Sequence, residues 1–159
     1  MKVLLFSLSC LLTCGLFGQN TIPVSGSTGT TTWTSNNVYI LTGYVFVESG
    51  QILTIEPGTV VKGAPGSGVD ASALIVTKGG QLIADGTAES PIIFTFEGDP
   101  LDGSVAYDTR GQWGGIIILG NATTNFGGPA QIEGIPTDNS LAEYGGDNDA
   151  DNSGILRYV

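Results

Sequence analysis

The chain has 159 residues, 41% of them apolar and only 13% charged, which suits one domain with a sizeable core and excludes a disordered or collagen-like chain. Its formal net charge is −10, with five basic side chains against fifteen carboxylates. That balance excludes nucleic acid and anionic membrane surfaces as partners, because both require clustered Lys and Arg to neutralise phosphates, and it matches solubility outside the cell. The 25 glycines exceed ordinary usage and suit many tight turns between short strands.

Residues 1–18 carry Lys2, an apolar run over 3–12 and small residues ending at Gly18, the three-part layout of a secretory signal peptide. Cleavage after Gly18 leaves Gln19 as the new N-terminus. The apolar run is too short for a transmembrane helix, which needs ~20 residues. Cys10 and Cys14 both lie in this leader, so the mature chain has no thiol for a disulfide, a redox centre or nucleophilic catalysis. A lipoprotein reading stays open beside it, since Leu11-Leu12-Thr13-Cys14 loosely resembles the bacterial box before a lipidated cysteine, with Thr13 departing from the pattern.

Residues 19–37 are rich in Thr, Ser, Gly and Asn around the single aromatic Trp33, which predicts an extended lead-in and cap. Regular structure is expected from Val38, where two β-branched and aromatic runs flank Thr42-Gly43 as strand, turn, strand. An imperfect repeat follows over 45–95. In the first copy strands are expected at 45–47, 52–55 and 60–62, and in the second at 74–77, 82–84 and 92–96, with glycine-marked turns between them. Aligning Leu53 with Leu82 gives a period of 29 residues and places Ile55 on Ala84, so inward positions match inward positions. Part of that length is 64–73, APGSGVDASA, which lacks apolar periodicity and reads as a loop bulging from a corner; without it a turn is about 20 residues.

A period of this size, three short strands per copy and no helical spacing point to an all-β solenoid, a right-handed parallel β-helix over 38–159. One unit cannot bury its own apolar face, so Val45, Leu53 and Ile55 are expected to pack under Leu74, Leu82 and Ala84. A third turn falls at 113–120, with Ile117 aligned to Ile93 after an acidic loop over 97–112. Residues 131–136 supply another short strand and 155–159, ILRYV, a last one. An exposed apolar final turn is an aggregation template, so the reading expects these to be the N-terminal turns of a longer stack, with the rest of the polypeptide packing on the C-terminal coil.

The blocks GQILTIEPGTVVKG, ALIVTKGGQLIADGTAESPIIFT, WGGIIILGNA, QIEGIP and YGGDNDADNSGILRYV resemble the N-terminal region of secreted right-handed parallel β-helix proteins from type IX-secreting Gram-negative bacteria. The resemblance covers nearly all of the mature chain. It implies a secreted or outer-surface location and brings no catalytic residue with it.

With no His and no mature Cys, the Ser-His-Asp, Cys-His and common zinc or iron arrangements are absent. GAPGSG at 63–68 lacks the Lys-Ser/Thr ending and following helix of a phosphate loop. The candidate metal site is 147–154, where Asp147, Asp149 and Asp151 alternate in a way that suits calcium; the same segment also reads as a solvated acidic turn. It is not an EF-hand, because Asn152 replaces the sixth-position glycine and Tyr158 the twelfth-position Glu. Asn121, in Asn-Ala-Thr at a corner, suits hydrogen bonding within the turn.

Tyr39, Tyr44, Phe46, Trp113 and Tyr144 are candidates for an outer face that stacks on sugars or anchors a protein, against the competing role of core packing. Arg110 beside Asp108 and Arg157 near Asp151 are the basic residues to weigh for catalysis. Two functions are therefore expected to compete. One is a non-enzymatic, adhesin-like scaffold or binding module for an extracellular glycan or surface protein. The other is the first part of a polysaccharide lyase or glycoside hydrolase with its active site in later coils. The sites and ligands are expected to lie in the loops that interrupt the repeat.

Overall fold

The computed structural model describes residues 19–136 and 140–159. The expected leader, with Cys10 and Cys14, lies outside the described residues. Coil one is formed by β1 (Asn20–Ser27) and β2 (Thr31–Trp33), coil two by β3 (Asn37–Val47) and β4 (Ile52–Ile55), and coil three by β5 (Val60–Gly63), β6 (Ala73–Val76) and β7 (Gln81–Asp85). Coil four starts with β8 (Ile93–Phe96) and β9 (Ile116–Ile118). It is interrupted by the short strands β10 (Ala130–Gln131) and β11 (Glu143–Tyr144), and it closes with β12 (Gly154–Arg157).

The coils stack as a right-handed parallel β-helix with three faces. Face one pairs the start of β1 with the start of β3, then β5 and β8; face two pairs the ends of β1 and β3, then β6 and β9. Face three runs β2, β4, β7, β12. All these pairs are parallel, which places successive coils ~4.8 Å apart.

The expected register is the observed one. Leu53 pairs with Leu82, Ile55 with Ala84 and Val45 with Leu74. Inward residues thus form ladders down the axis, such as Tyr39, Val61 and Phe94 on face one and Val45, Leu74 and Ile116 on face two. They merge with Leu41, Val47 and Val76 into one interior cluster. A fully buried Leu or Val there stabilises the fold by roughly 1.5–3 kcal/mol, and a coil alone has nothing to bury it against.

Four expectations about elements change. Strand structure begins at Asn20, ahead of Val38, because the backbone of β1 pairs with β3 whatever its polar side chains prefer. Thr42-Gly43 does not separate two strands: β3 runs through it and bends from face one to face two, with Gly43 at φ +63°. Ile117 is the counterpart of Ile75 on face two, whereas Ile93 pairs with Val60 on face one; an apolar triplet does not by itself say which face it occupies. The strand expected at 131–136 is confined to Ala130–Gln131 and runs antiparallel to β11, outside the coils.

The insertion between β9 and β12 folds back over face two. There the outward side chains Phe46, Ala73 and Ile75 form a second cluster with Leu119, Ile135 and Ala142, and with the partly buried Ile117, Tyr44 and Tyr144. This explains why all four residues of β6 are buried, while β7, with no such cover, alternates.

Candidate functional site

The corner between faces one and two carries the chain's first two insertions. Along face one, the step to the next coil grows from 17 residues (Asn20 to Asn37) to 22 (Val38 to Val60) and 33 (Val60 to Ile93), the last increase coming with the loop after β5. In coil four a longer loop leaves the same corner after β8.

The necks of both loops are tied to the stack. Ser72 donates its hydroxyl to the Ala64 carbonyl at 2.6 Å, Glu97 donates its backbone N–H to Gly63 O at 2.8 Å, and Gly114 donates to Ser72 O at 2.6 Å. Lys62 reaches out from β5 and donates to Asp99 O at 2.6 Å, with Glu97 O at 3.5 Å. Trp113 closes the corner over Gly63. A Cβ at Gly63 would stand 2.6 Å from Trp113 Cβ and 2.8 Å from its ring, so only glycine admits the indole here.

Two adjoining hollows, of about 360 and 380 Å³, lie at this corner and share Phe96 and Gln112. The first reaches Pro65 and Glu97. The second runs along β8 to Asp99, Tyr107, Arg110 and Trp113. Each volume falls in the range of a small-ligand site, and the lining combines aromatic rings with a few fixed polar groups.

Asp99 is the most firmly held of those groups. Thr95 Oγ1 donates to its Oδ2 at 2.6 Å and Leu101 N–H to its Oδ1 at 2.8 Å. These bonds, Thr95 first, and the nearby Lys62 hold its carboxyl below the ordinary value, so it is ionised. Asp102 on the same loop is lowered too, by its bonds from Ser104. Arg110 folds back on its own loop, Nε donating to Asp108 O at 3.0 Å, and Tyr107 is fully exposed at the rim.

Of the five expected ligand aromatics, only Trp113 lines this cleft. Tyr39 does not line an outer face: it is 6% exposed, stacked on Trp33 at 4.6 Å, and its hydroxyl accepts from Thr34 N–H at 2.9 Å. Tyr44 and Tyr144 pack in the second cluster, and Tyr44 Oη points at Gly68 O and Gly134 O, 3.1 and 3.4 Å away. Phe46 is buried in that cluster. The sequence reading did not single out Phe96, Asp99, Tyr107 or Gln112. Tyr107 carried the available signal, as the single aromatic of a loop already flagged for its polarity.

The acidic loop is used as a clasp. Asp151 Oδ2 accepts from Asn121 N–H and Asp149 Oδ1 from Thr123 N–H, both at 2.9 Å, while Asn148 N–H donates to Asn121 O at 3.0 Å. These bonds join 147–151 to the segment leaving β9, and the bonds from Thr123 lower the Asp149 carboxyl. Asp147 is exposed beside them. Among the described residues no three His, Cys, Asp or Glu side chains come together as a metal-holding group. Arg157 pairs with Asp85 at 3.3 Å on face three rather than with Asp151, because β12 and β7 put the two directly opposite. Among the described residues, no helix is long and apolar enough to cross a membrane.

Residues 25–159 match the family described as a pectate-lyase-like β-helix domain, and the chain belongs to that family. No curated protein and no solved structure matches it.

Proposed function

We propose that the chain is a non-catalytic β-helix scaffold, secreted or held at the outer surface of a type IX-secreting bacterium, whose corner cleft binds an extracellular glycan. The observation that carries this reading is the cleft itself. Two loops anchored to a rigid stack hold aromatic rings and ionised or amide groups around a hollow of ligand size.

The use of the basic residues supports a binding role over catalysis. Lys62 holds the Asp99 and Glu97 carbonyls, Lys78 bridges Glu143 and Gly145 O at 3.4 Å, Arg110 holds Asp108 O and Arg157 pairs with Asp85. A lyase needs such a side chain free beside its substrate to take a proton.

The family description fits a second reading equally well, a polysaccharide lyase whose groove is completed by later coils. One experiment separates the two. The secreted protein is applied to immobilised plant and microbial polysaccharides while unsaturated and reducing ends are followed. Retention without product is expected; product release from a uronate polymer overturns the scaffold reading. Mass spectrometry of the secreted protein is expected to find Gln19 at its N-terminus.

A further inference from the structure

We infer that the corner cleft selects a neutral glycan and rejects uronate polymers; this rests on the binding role proposed above. The walls supply both parts of neutral-sugar recognition. Trp113, Phe96 and the exposed Tyr107 offer flat faces for the C–H side of a pyranose ring, while Gln112 and Asp99 offer hydrogen-bonding groups for its hydroxyls.

The charge around the cleft opposes an acidic ligand. Glu97, Asp99, Asp102 and Asp108 belong to the strand-loop that forms the wall, and Asp99 and Asp102 are held ionised by their hydrogen bonds. Against them stand Arg110 and Lys62, and Lys62 is already committed to two loop carbonyls. The chain as a whole carries a net charge of −10, so no long-range field draws a polyanion toward the site. A carboxylate-bearing ring in this cleft would face several like charges, and the two nearby cations are already engaged with loop carbonyls.

The test uses the whole secreted protein in affinity electrophoresis through gels holding soluble xylan, mixed-linkage β-glucan or mannan, and through gels holding polygalacturonate or alginate. Tryptophan emission is read in parallel. The chain has two tryptophans, and Trp33 is only 4% exposed, so a ligand in the cleft reports through Trp113. At least one neutral polymer is expected to retard the protein and shift its emission. Raising the salt to about 0.5 M is expected to leave that retention unchanged, as for an uncharged ligand. Tyr107→Ala, at a fully exposed position where folding is not at stake, is expected to weaken it about tenfold.

Retention by a uronate polymer as strong as by any neutral one overturns the selectivity and leaves the binding scaffold standing. Retention by no polymer of either kind overturns both. Neutral-polymer retention that Tyr107→Ala leaves unchanged removes the cleft as its seat.

Discussion

At one end of the stack, coil one turns Asn20, Thr21, Ser25 and Ser27 to water, with Ile22 its one large apolar side chain counted as exposed; at the other, coil four leaves Ile118, Ile155 and Leu156 each about two-fifths exposed. Among the described residues, both ends present strands paired on one side only. A strand edge flanked by hydroxyls can keep its backbone hydrated, whereas one flanked by branched apolar side chains invites another strand. The two ends have the same geometry, so their difference lies in side-chain chemistry: coil one lines its edge mainly with hydroxyl and amide side chains and coil four with branched apolar ones.

The contrast is sharpest when one inward leucine is compared with another. Leu53, in coil two, is completely buried, and Leu156 occupies the inward ladder of Ile55 and Ala84 two coils further on. Leu53→Ala is expected to cost about 3 kcal/mol in urea unfolding, and Leu156→Ala less than about 1 kcal/mol. Equal losses would mean that coil four is covered in solution and would dissolve the contrast.

Next in size, Gly63→Ala is expected to cost about 2 kcal/mol, because its methyl group must displace Trp113 or Ser72. Trp113 emission should move to longer wavelength as the indole leaves the corner, and an unmoved spectrum refutes that packing. At the exposed end, Ile118→Lys with Leu156→Lys is expected to weaken any pairing of one chain's coil four with another's about tenfold, measured by sedimentation velocity, with little change in melting temperature. The same pair of charges placed on coil one, at Thr21 and Ser27, should change neither quantity.

The smallest effect concerns the clasp at the base of the covering insertion. The Thr123 bonds depress the Asp149 carboxyl below its ordinary 3.8, so the ionised group stabilises the fold above that pH, and the gain is lost as pH falls through the lower folded value. Asp149→Asn removes this gain. The melting temperatures of the two proteins should therefore differ at neutral pH and converge in strong acid; a gap that stays constant on acidification refutes the ionic contribution.

Much of the stack was legible because its physics repeats. Leu53 and Leu82 sit at equivalent places between glycine turns, and only one alignment keeps both facing inward, so register followed from pattern. The pattern fails where a strand is apolar on both sides. The triplet at 116–118 fits any face, and its true place beside β6 depends on a distant insertion that buries its outward side. The uninterrupted apolar run of β6 was the available sign that face two is covered.

Of the cleft, Trp113 and the two loops were visible in the sequence, but their meeting was not. Residues 64–72 and 97–115 are separate in the chain, and only the stacking of coils three and four brings them to one corner. Tyr39, left open between an outer face and the core, lies in the core, where a local partner, the Thr34 N–H, satisfies its hydroxyl.

The bend at Gly43 has a practical consequence. Coil two turns the same corner with no insertion, yet the paired strands on either side of it keep the same ladders as coils that carry nine or more additional residues. Loop closure grows costlier only slowly with length, by about 0.6 kcal/mol per doubling, so the corner is a graft point. A peptide spliced between Thr42 and Gly43 would be displayed on a rigid post beside the native cleft, and repeating the graft in adjacent coils would space such epitopes by one strand separation.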